Sequence, residues 1–360
     1  MKTLTKQMIK DFALSRGLDL FGVANIERFK DAPKDMSPIS IFPEAKSVIV
    51  VGKRILRGSW RGIEEGVYWP TYTYFGYCQL NVTFLQTPMF ETTCFIEDFG
   101  FEAVPVYPGV TASDYKPIVE PLRKGGVVPD VNLNIRIAGV AAGLGEIGWA
   151  KVFMTKKFGP RVRLACILTD LELEPDPLVK PGSICDKCMQ CVKGCSACAI
   201  PHIKEKKTVK IKIEDYTYEW ADVHMGRCTL SYHGGDSMNS PFIHRDFPGW
   251  NVDVTKQDMS EDAAYKFCWT LSQSPWRKSK EFPSGSIIEG HRCLFQWGDG
   301  GSFGVEGSRG CMRSCFNHLE KKGTIEQTFN NGDFIKRERW LLPAEVPRRK
   351  NPETSDTGRK

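Results

Sequence analysis

No run of about eighteen apolar residues occurs in this chain, so a membrane-spanning helix is not expected. The opening segment MKTLTKQMIKDFALSRG lacks the long apolar core of a signal peptide and has no twin arginine. Both absences point to a cytoplasmic protein with no membrane partner. No internal repeat is visible, which argues against a solenoid or propeller. No dense basic stripe with interleaved aromatics is present, so the net charge of +6 is a mild bias and not a nucleic-acid footprint. Part of that charge sits in the tail KRERWLLPAEVPRRKNPETSDTGRK, whose end is polar and reads as solvated.

The chain has 360 residues, of which 41% are hydrophobic and 26% charged, as in an ordinary soluble globular protein. That length suits one large or two medium domains. The first segment reads as an amphipathic helix with Leu4, Met8, Phe12 and Ala13 on one face and Gly17 as its stop. SVIVVG (47–52) reads as a strand. A helix is expected from Val82 to Phe99, with Leu85, Met89, Thr93 and Ile96 inward and Gly100 at its end. FEAVPVYP reads as a strand, Asn134 to Ala142 as a helix, and VRLACILTDLEL (Val162 to Leu173) as a strong strand. This alternation predicts a layered α/β domain over residues 1–177. The proline-rich EPDPLVKPG then reads as a linker. A loop-rich region with little periodicity follows, of the kind a metal holds together.

Thirteen cysteines are present, and ten lie between Cys185 and Cys315. In a reducing compartment such clustering favours metal over disulfides. ICDKCMQCVKGCSACAIP sets Cys185, Cys188, Cys191 and Cys195 at the spacing C-x2-C-x2-C-x3-C. This is the ferredoxin spacing for 4Fe–4S clusters, in which the fourth cysteine ligates a different cluster from the first three. Soft thiolates also suit zinc, but a zinc site would stop at paired, tetrahedral spacing. A second set is therefore required downstream. Cys315 would close the first cluster, and Cys195, Cys311 and Cys293 would serve the second. The last ligand lies among Cys228, Cys268 and Cys198, with Cys228 preferred. In GSRGCMRSCFN, Ser308 stands where the usual motif has another cysteine. Cys78, Cys94 and Cys166 read as small buried apolar residues.

GLGEIG (Gly143 to Gly148) matches G-x-G-x-x-G, with Asp170 further on. A dinucleotide site requires a strand before it and a helix after it, and the following WAKVFMTKKFGPRVR does not read as a helix. The glycines let the backbone approach a large flat ligand or pack tightly.

Taken in order, AGLGEIG, FGPRVRLACILTDLELEPD and the cysteine motif resemble the corrinoid and iron–sulfur reductases. These are the reductive dehalogenases and the epoxyqueuosine reductases of tRNA modification. The resemblance is strong from Asn134 to Ile200 and returns in HRCLFQWGDGGSFGVEGSRGCMRSC. It is loose before residue 130, and AGLGE with GPRVR is closer to the dehalogenases. It implies a nitroreductase-like cobalamin-binding domain (1–177), a ferredoxin-like domain with two 4Fe–4S clusters (178–330) and a tail (331–360). It also implies base-off cobalamin reduced to Co(I), acting anaerobically on a carbon–halogen or carbon–oxygen bond of a small molecule. The electron donor would be external and of low potential, such as a ferredoxin or flavodoxin.

On that resemblance Gly143, Gly145 and Gly148 line the corrinoid, and Arg161 or Arg163 is a cation near the substrate that holds a halide or polarises an oxygen. Among Tyr72, Tyr74 and Tyr77, Tyr77 is ranked first as proton donor. The alternatives are an epoxyqueuosine reductase, whose partner is tRNA, and a double-cluster electron-transfer protein without corrinoid. Epoxyqueuosine reductases carry an acid shortly before AGLG. Here Asn134, Ile135 and Arg136 stand there, and Asp130 is the nearest acid. The absent leader points to a soluble relative of the secreted dehalogenases. The segment with His233, Asp236 and His244 reads as a substrate loop or a lower-face contact to the corrinoid, and no D-x-H-x-x-G corrinoid signature occurs.

Overall fold

The structure, a computed structural model, describes residues 3–61, 71–106, 121–127, 131–232, 235, 252–273 and 310–331. Two long apolar segments form its centre, β2 (Ser47–Arg54) and β6 (Val162–Thr169). They pair antiparallel from Ser47 opposite Thr169 to Arg54 opposite Val162. β1 (Leu20–Asn25) and β3 (Ala103–Val106) flank them, giving the order β1-β2-β6-β3 with every pairing antiparallel.

Both strands lack polar alternation because both sheet faces are covered. Val48, Ile49, Val50 and Val51 are all fully buried. Each such side chain is worth roughly 1.5–3 kcal/mol, an upper estimate referred to an extended chain. On one face Ile49, Val51, Ala165 and Ile167 meet α1 (Lys6–Ser15) and the helix Gln86–Glu97. Pro38–Ile41 is a single turn, α2, so Gln86–Glu97 is α3. Phe12 of α1 stacks on Phe95 of α3 at 4.3 Å. On the other face Val48, Val50, Leu164 and Cys166 meet α4 (Ile135–Ala141). The layered α/β arrangement read from the alternation is present, built on an antiparallel sheet.

Most local readings hold. Thr5 caps α1 by accepting from the Met8 amide, and Gly17 (φ +95°) ends it. Its buried residues are Ile9 and Ala13, whereas Met8, read as inward, is 38% exposed. α3 buries Met89, Thr93 and Ile96 as expected but starts at Gln86 instead of Val82. The preceding Tyr72–Cys78 and Leu80–Phe84 form wider π-helical turns. Such turns shift side chains out of α-helical register and recur at functional sites. Asn134 caps α4 by accepting from the Arg136 and Ile137 amides.

The glycine motif follows α4 and leads into a small hairpin, β4 (Glu146–Ile147) with β5 (Phe153–Met154). Helix before and hairpin after is the reverse of a dinucleotide-binding turn. The proline-rich segment is tied down rather than loose. Asp176 accepts from the Val23 amide at 2.8 Å and pairs with Lys6 at 2.6 Å. Beyond it, β7 (Thr208–Ile213) and β8 (Tyr216–Ala221) form a hairpin whose Ile213, Tyr218 and Trp220 join the core on the α4 face of the sheet. Core side chains are thus shared across the Pro177 boundary.

Candidate metal centre and the adjoining pocket

The cysteine loop owes its shape to two left-handed residues. Lys187 (φ +52°) and Met189 (φ +60°) reverse the chain between Cys185, Cys188 and Cys191. One helical turn follows, α5 (Gln190–Gly194). Next along the chain are α6 (Met225–Tyr232), α7 (Glu261–Gln273) and α8 (Cys311–Lys321). α8 lies close against α5 at Gly194, where a Cβ would stand 2.3 Å from Ser314 Oγ. That contact needs glycine, and it brings Cys315 to the loop. Cys185, Cys188, Cys191 and Cys315 together line one cavity of about 400 Å³, counted with its open mouth. Trp149, Met154 and His318 complete much of the lining.

Burial pushes these thiols up in pKa, Cys191 to about 12 and Cys185, Cys188 and Cys315 in the same direction, with neighbouring sulfurs adding at Cys191 and Cys315 and Asp186 adding at Cys188. Without metal the set therefore holds protons that a metal must displace. The Trp149 amide donates to Cys185 Sγ at 3.4 Å. Four convergent soft thiols, with an amide already directed at one sulfur, fit a thiolate-ligated cluster.

A second set adjoins the first. Cys311, one turn before Cys315, is the electrostatic neighbour of Cys228, Cys195 and Cys191. Burial pushes Cys228 to about 12, with Cys195 adding to the rise. Cys195 Sγ accepts from the Ala199 amide at 3.3 Å. Of the three open candidates, Cys228 stands with Cys195 and Cys311. Cys198 is exposed, and Cys268 is buried in the surrounding apolar cluster. Cys293 lies outside the described residues.

Glu146, the acid inside the glycine motif, carries a role the sequence does not announce. Its side chain is 3% exposed, and its carboxylate accepts from the amides of Gly182, Ile184 and Cys185, each at 2.6 Å. It fixes the entrance to the cysteine loop. The glycines around it make room for protein. A Cβ on Gly143 would meet Pro177 O at 2.3 Å, one on Gly145 would meet Met154 O at 1.9 Å, and one on Gly148 would meet the Met154 side chain at 2.4 Å. The tight-packing reading of Gly143, Gly145 and Gly148 thus accounts for the absence of a side chain at all three.

The second thiol set borders a buried cluster of tyrosines and arginines. The Arg163 guanidinium, on β6, lies 4.6 Å from the Tyr77 ring centroid and donates to Tyr72 Oη at 3.4 Å. Tyr77 and Tyr232, the last residue of α6, have ring centroids 6.2 Å apart. Burial raises the pKa of Tyr232 well above the phenol range, and Tyr77 and Tyr72 add to it. Tyr72 is raised by burial too, with Arg163 opposing. These phenols therefore hold their protons at neutral pH. Burial opposes the Arg163 charge, but the three tyrosines outweigh it and the net shift is upward. Arg136, on α4, donates to the Lys151 carbonyl and is lowered by burial and by Arg163. Its other electrostatic neighbours are Cys228, Cys311 and Tyr232, so it bridges thiols and pocket.

The expectation for Arg161 is corrected. It is 1% exposed, donates to Ile55 O and Gln327 Oε1, and stacks over Phe316 and Phe329. Burial lowers its pKa to about 10. Enclosed by protein in this way, it clamps β6 to α8 and is not positioned to meet a substrate. Of the two arginines only Arg163 faces the pocket. Tyr232 and Arg136 were not foreseen as site residues, because nothing local in the sequence marks them. His233, Asp236, His244 and Asp130 lie outside the described residues, as does the side chain of Tyr74.

The two thiol sets thus lie beside one another, and Arg136 links the second to the tyrosine–arginine cluster. The sequence is similar to the tetrachloroethene reductive dehalogenase of Dehalobacter restrictus, at 34% identity over 174 residues. The match covers 44% of this chain and 31% of that protein, so it spans about a third of the relative's length. A tetrachloroethene reductive dehalogenase of Desulfitobacterium hafniense matches at 33% over the same length. The resemblance read from the motifs is thus found again in curated relatives. No family model matches the sequence. Among solved structures, epoxyqueuosine reductase from Streptococcus thermophilus overlaps 86% of this chain and 79% of its own, at 16% identity and a TM-score of 0.42. A catabolic reductive dehalogenase overlaps 95% of this chain and 42% of its own, at 15% identity and a TM-score of 0.44. Overlaps at these scores do not establish a shared fold. Among the described residues no helix is long and apolar enough to cross a membrane.

Proposed function

We propose that this chain is a reductase of the reductive-dehalogenase type, cleaving a carbon–halogen or carbon–oxygen bond of a small molecule. The observation that carries the reading is the serial arrangement of thiol set, second thiol set and tyrosine–arginine pocket. Cys185, Cys188, Cys191 and Cys315 would hold one 4Fe–4S cluster. Cys195, Cys228 and Cys311 would hold the second with Cys293. A corrinoid, when bound, would supply a strongly nucleophilic low-valent metal. Support for it comes from the sequence resemblance and the curated relatives. Gly143, Gly145 and Gly148 would stand on its side of the chain through their backbone, since their Cβ directions are taken up by Pro177 and Met154.

The chain's own contribution lies in the pocket. Arg163, its fork fixed by Tyr72 and the Tyr77 ring, can bind a departing halide or oxyanion. Tyr232 holds its phenolic proton through burial, and the Tyr77 ring stands between it and the Arg163 cation. Reductive cleavage consumes two electrons and one proton and releases an anion, and this pocket provides for the proton and the anion.

The epoxyqueuosine alternative loses support because Arg136, a cation, occupies the stretch where those enzymes carry an acid. The test is anaerobic reconstitution with iron, sulfide and cobalamin, followed by halide release from a panel of small halogenated aromatics and alkenes. The expected result is cluster absorbance, retained corrinoid and halide release. Cluster absorbance without retained corrinoid would support the plain electron-transfer protein. Retention of tRNA at low salt with no halide release would support the queuosine reading.

A further inference from the structure

Electrons for the proposed reductase have to reach the outer thiol set, because the inner set is the one that borders the pocket. The outer cavity has a surface mouth, with Asp186 exposed on its rim and Lys187 and His318 among its lining. From that mouth a line of positive charge runs outward. Lys187 Nζ lies 5.3 Å from the ring centroid of Trp149, a cavity wall. It pairs with Glu219 Oε2 at 2.6 Å, and Lys210 Nζ approaches Glu219 Oε1 at 3.5 Å. The shared Glu219 leaves that trio with one net positive charge. Lys210 and Lys212 project from the same face of β7, since successive strand residues alternate sides, and both are exposed. Lys204, Lys206 and Lys207 lead into the strand and are exposed as well. Residues 202–221 contain five lysines, all within 202–212, and four acids, Glu205, Glu214, Asp215 and Glu219, of which Glu214 is paired with Arg28 and Glu219 with Lys187. Within them Ile203 is 39% exposed, an apolar point beside the lysines.

A solvated lysine cluster is common, but this one is held rigidly against the cavity. The other side of the hairpin sits in the main core through Ile213, Tyr218 and Trp220. The Tyr218 hydroxyl donates to Val179 O at 2.8 Å, and the Ala221 amide donates to Trp149 O at 3.0 Å. The basic face is therefore fixed directly to a residue that walls the thiol cavity.

We infer that the outer face of the 202–221 hairpin docks an acidic, low-potential electron-carrier protein beside the outer cluster. The inference rests on the two-cluster reading above. In each encounter the carrier loses one electron and the outer cluster gains one, so two encounters supply the pair that bond cleavage consumes. Complementary charge accelerates such encounters, and salt weakens the effect. RNA is the competing anionic partner. The hairpin adjoins the outer thiol set, not the tyrosine–arginine pocket where a modified base would have to react, and this favours the carrier.

The test uses the full chain, anaerobically reconstituted, and a reduced acidic ferredoxin as probe. Cluster bleaching is followed by stopped flow in wild type, in the double variant Lys210→Glu with Lys212→Glu, and in Lys10→Glu on α1, across the sheet. Dithionite, a small reductant, is run in parallel. The expected result is a loss of about tenfold in the ferredoxin rate for the double variant at low salt. That difference should shrink as salt rises, while Lys10→Glu and all dithionite rates stay unchanged. Equal ferredoxin rates in wild type and double variant would overturn the docking face. So would tRNA retention by wild type that the double variant alone loses. Wild type that shows no bleaching with dithionite would instead overturn the two-cluster reading beneath it.

Discussion

Replacing Glu146 tests how the cysteine loop is held before any metal arrives. Its carboxylate is buried and accepts three amides at 2.6 Å, from Gly182, Ile184 and Cys185. Glu146→Ala leaves all three without that partner. Gly182 is exposed and water can replace the bond, whereas Ile184 is buried and loses it outright. Stranding a buried donor costs roughly 1–3 kcal/mol, and weakening the two better-solvated ones adds about 1 kcal/mol each, for a total of about 3–5 kcal/mol. Glu146→Gln keeps an acceptor oxygen but not the charge, so its cost is about half of that. The assay is amide hydrogen exchange at 182, 184 and 185 in metal-free protein, together with iron content after reconstitution. Fast exchange at these amides and loss of one cluster are expected in Glu146→Ala, with Glu146→Gln intermediate. Exchange in Glu146→Ala as slow as in wild type would refute the reasoning.

Three further predictions follow from the same geometry. Arg163→Gln should lower bond cleavage about a hundredfold with cluster absorbance intact, and Arg163→Lys should not restore it, since lysine keeps the charge but not the fork. Loss of absorbance in Arg163→Gln would count against this role. Gly194→Ala should push α8 from α5, costing about 1–3 kcal/mol, and should selectively impair iron uptake by the Cys185–Cys315 set, as read by iron titration. Metal-free protein should lose stability in alkali. Cys191 and Cys228 titrate near 12 in the fold against 9.0 for the free thiol, so their neutral forms favour the folded state fully below 9. That contribution fades as pH rises from 9 to 12, and denaturant unfolding of Cys228→Ser should show a shallower decline over this window than wild type.

The parts of the site that were legible in the sequence are those in which chemistry is local. Cys185, Cys188 and Cys191 belong to one short loop, so their spacing alone points to a shared centre. The partnership of Cys311 and Cys315 with that loop followed from counting ligands, and α8 packing on α5 is its physical form. The strands β2 and β6 were legible because burial on both faces removes polar alternation. Their antiparallel pairing was not, because an apolar run looks the same in either direction. The GLGEIG segment shows a different limit. Its letters fit a ligand-binding turn, yet its glycines admit Pro177 and Met154, and its glutamate holds the cysteine loop. Only the contacts decide between these uses. Arg136 and Tyr232 come from separate helices and meet Arg163 and Tyr77 only in the tertiary fold, so no periodicity could have grouped them. Arg161 and Arg163 lie two positions apart, the one just before β6 and the other within it, and end in different environments. The chain beyond β6 folds one of them under Phe316 and Phe329.

The central claim is that two distinct clusters stand in series, one on each thiol set. The direct measurement is iron and acid-labile sulfide content with low-temperature EPR of dithionite-reduced protein, on wild type, Cys315→Ala and Cys311→Ala. Two interacting cluster signals are predicted for wild type. Cys315→Ala should lose or convert the outer cluster alone, and Cys311→Ala the inner one alone, so that the two variants leave different residual spectra. Identical residual spectra, or a wild type that binds zinc and no sulfide, would contradict the account.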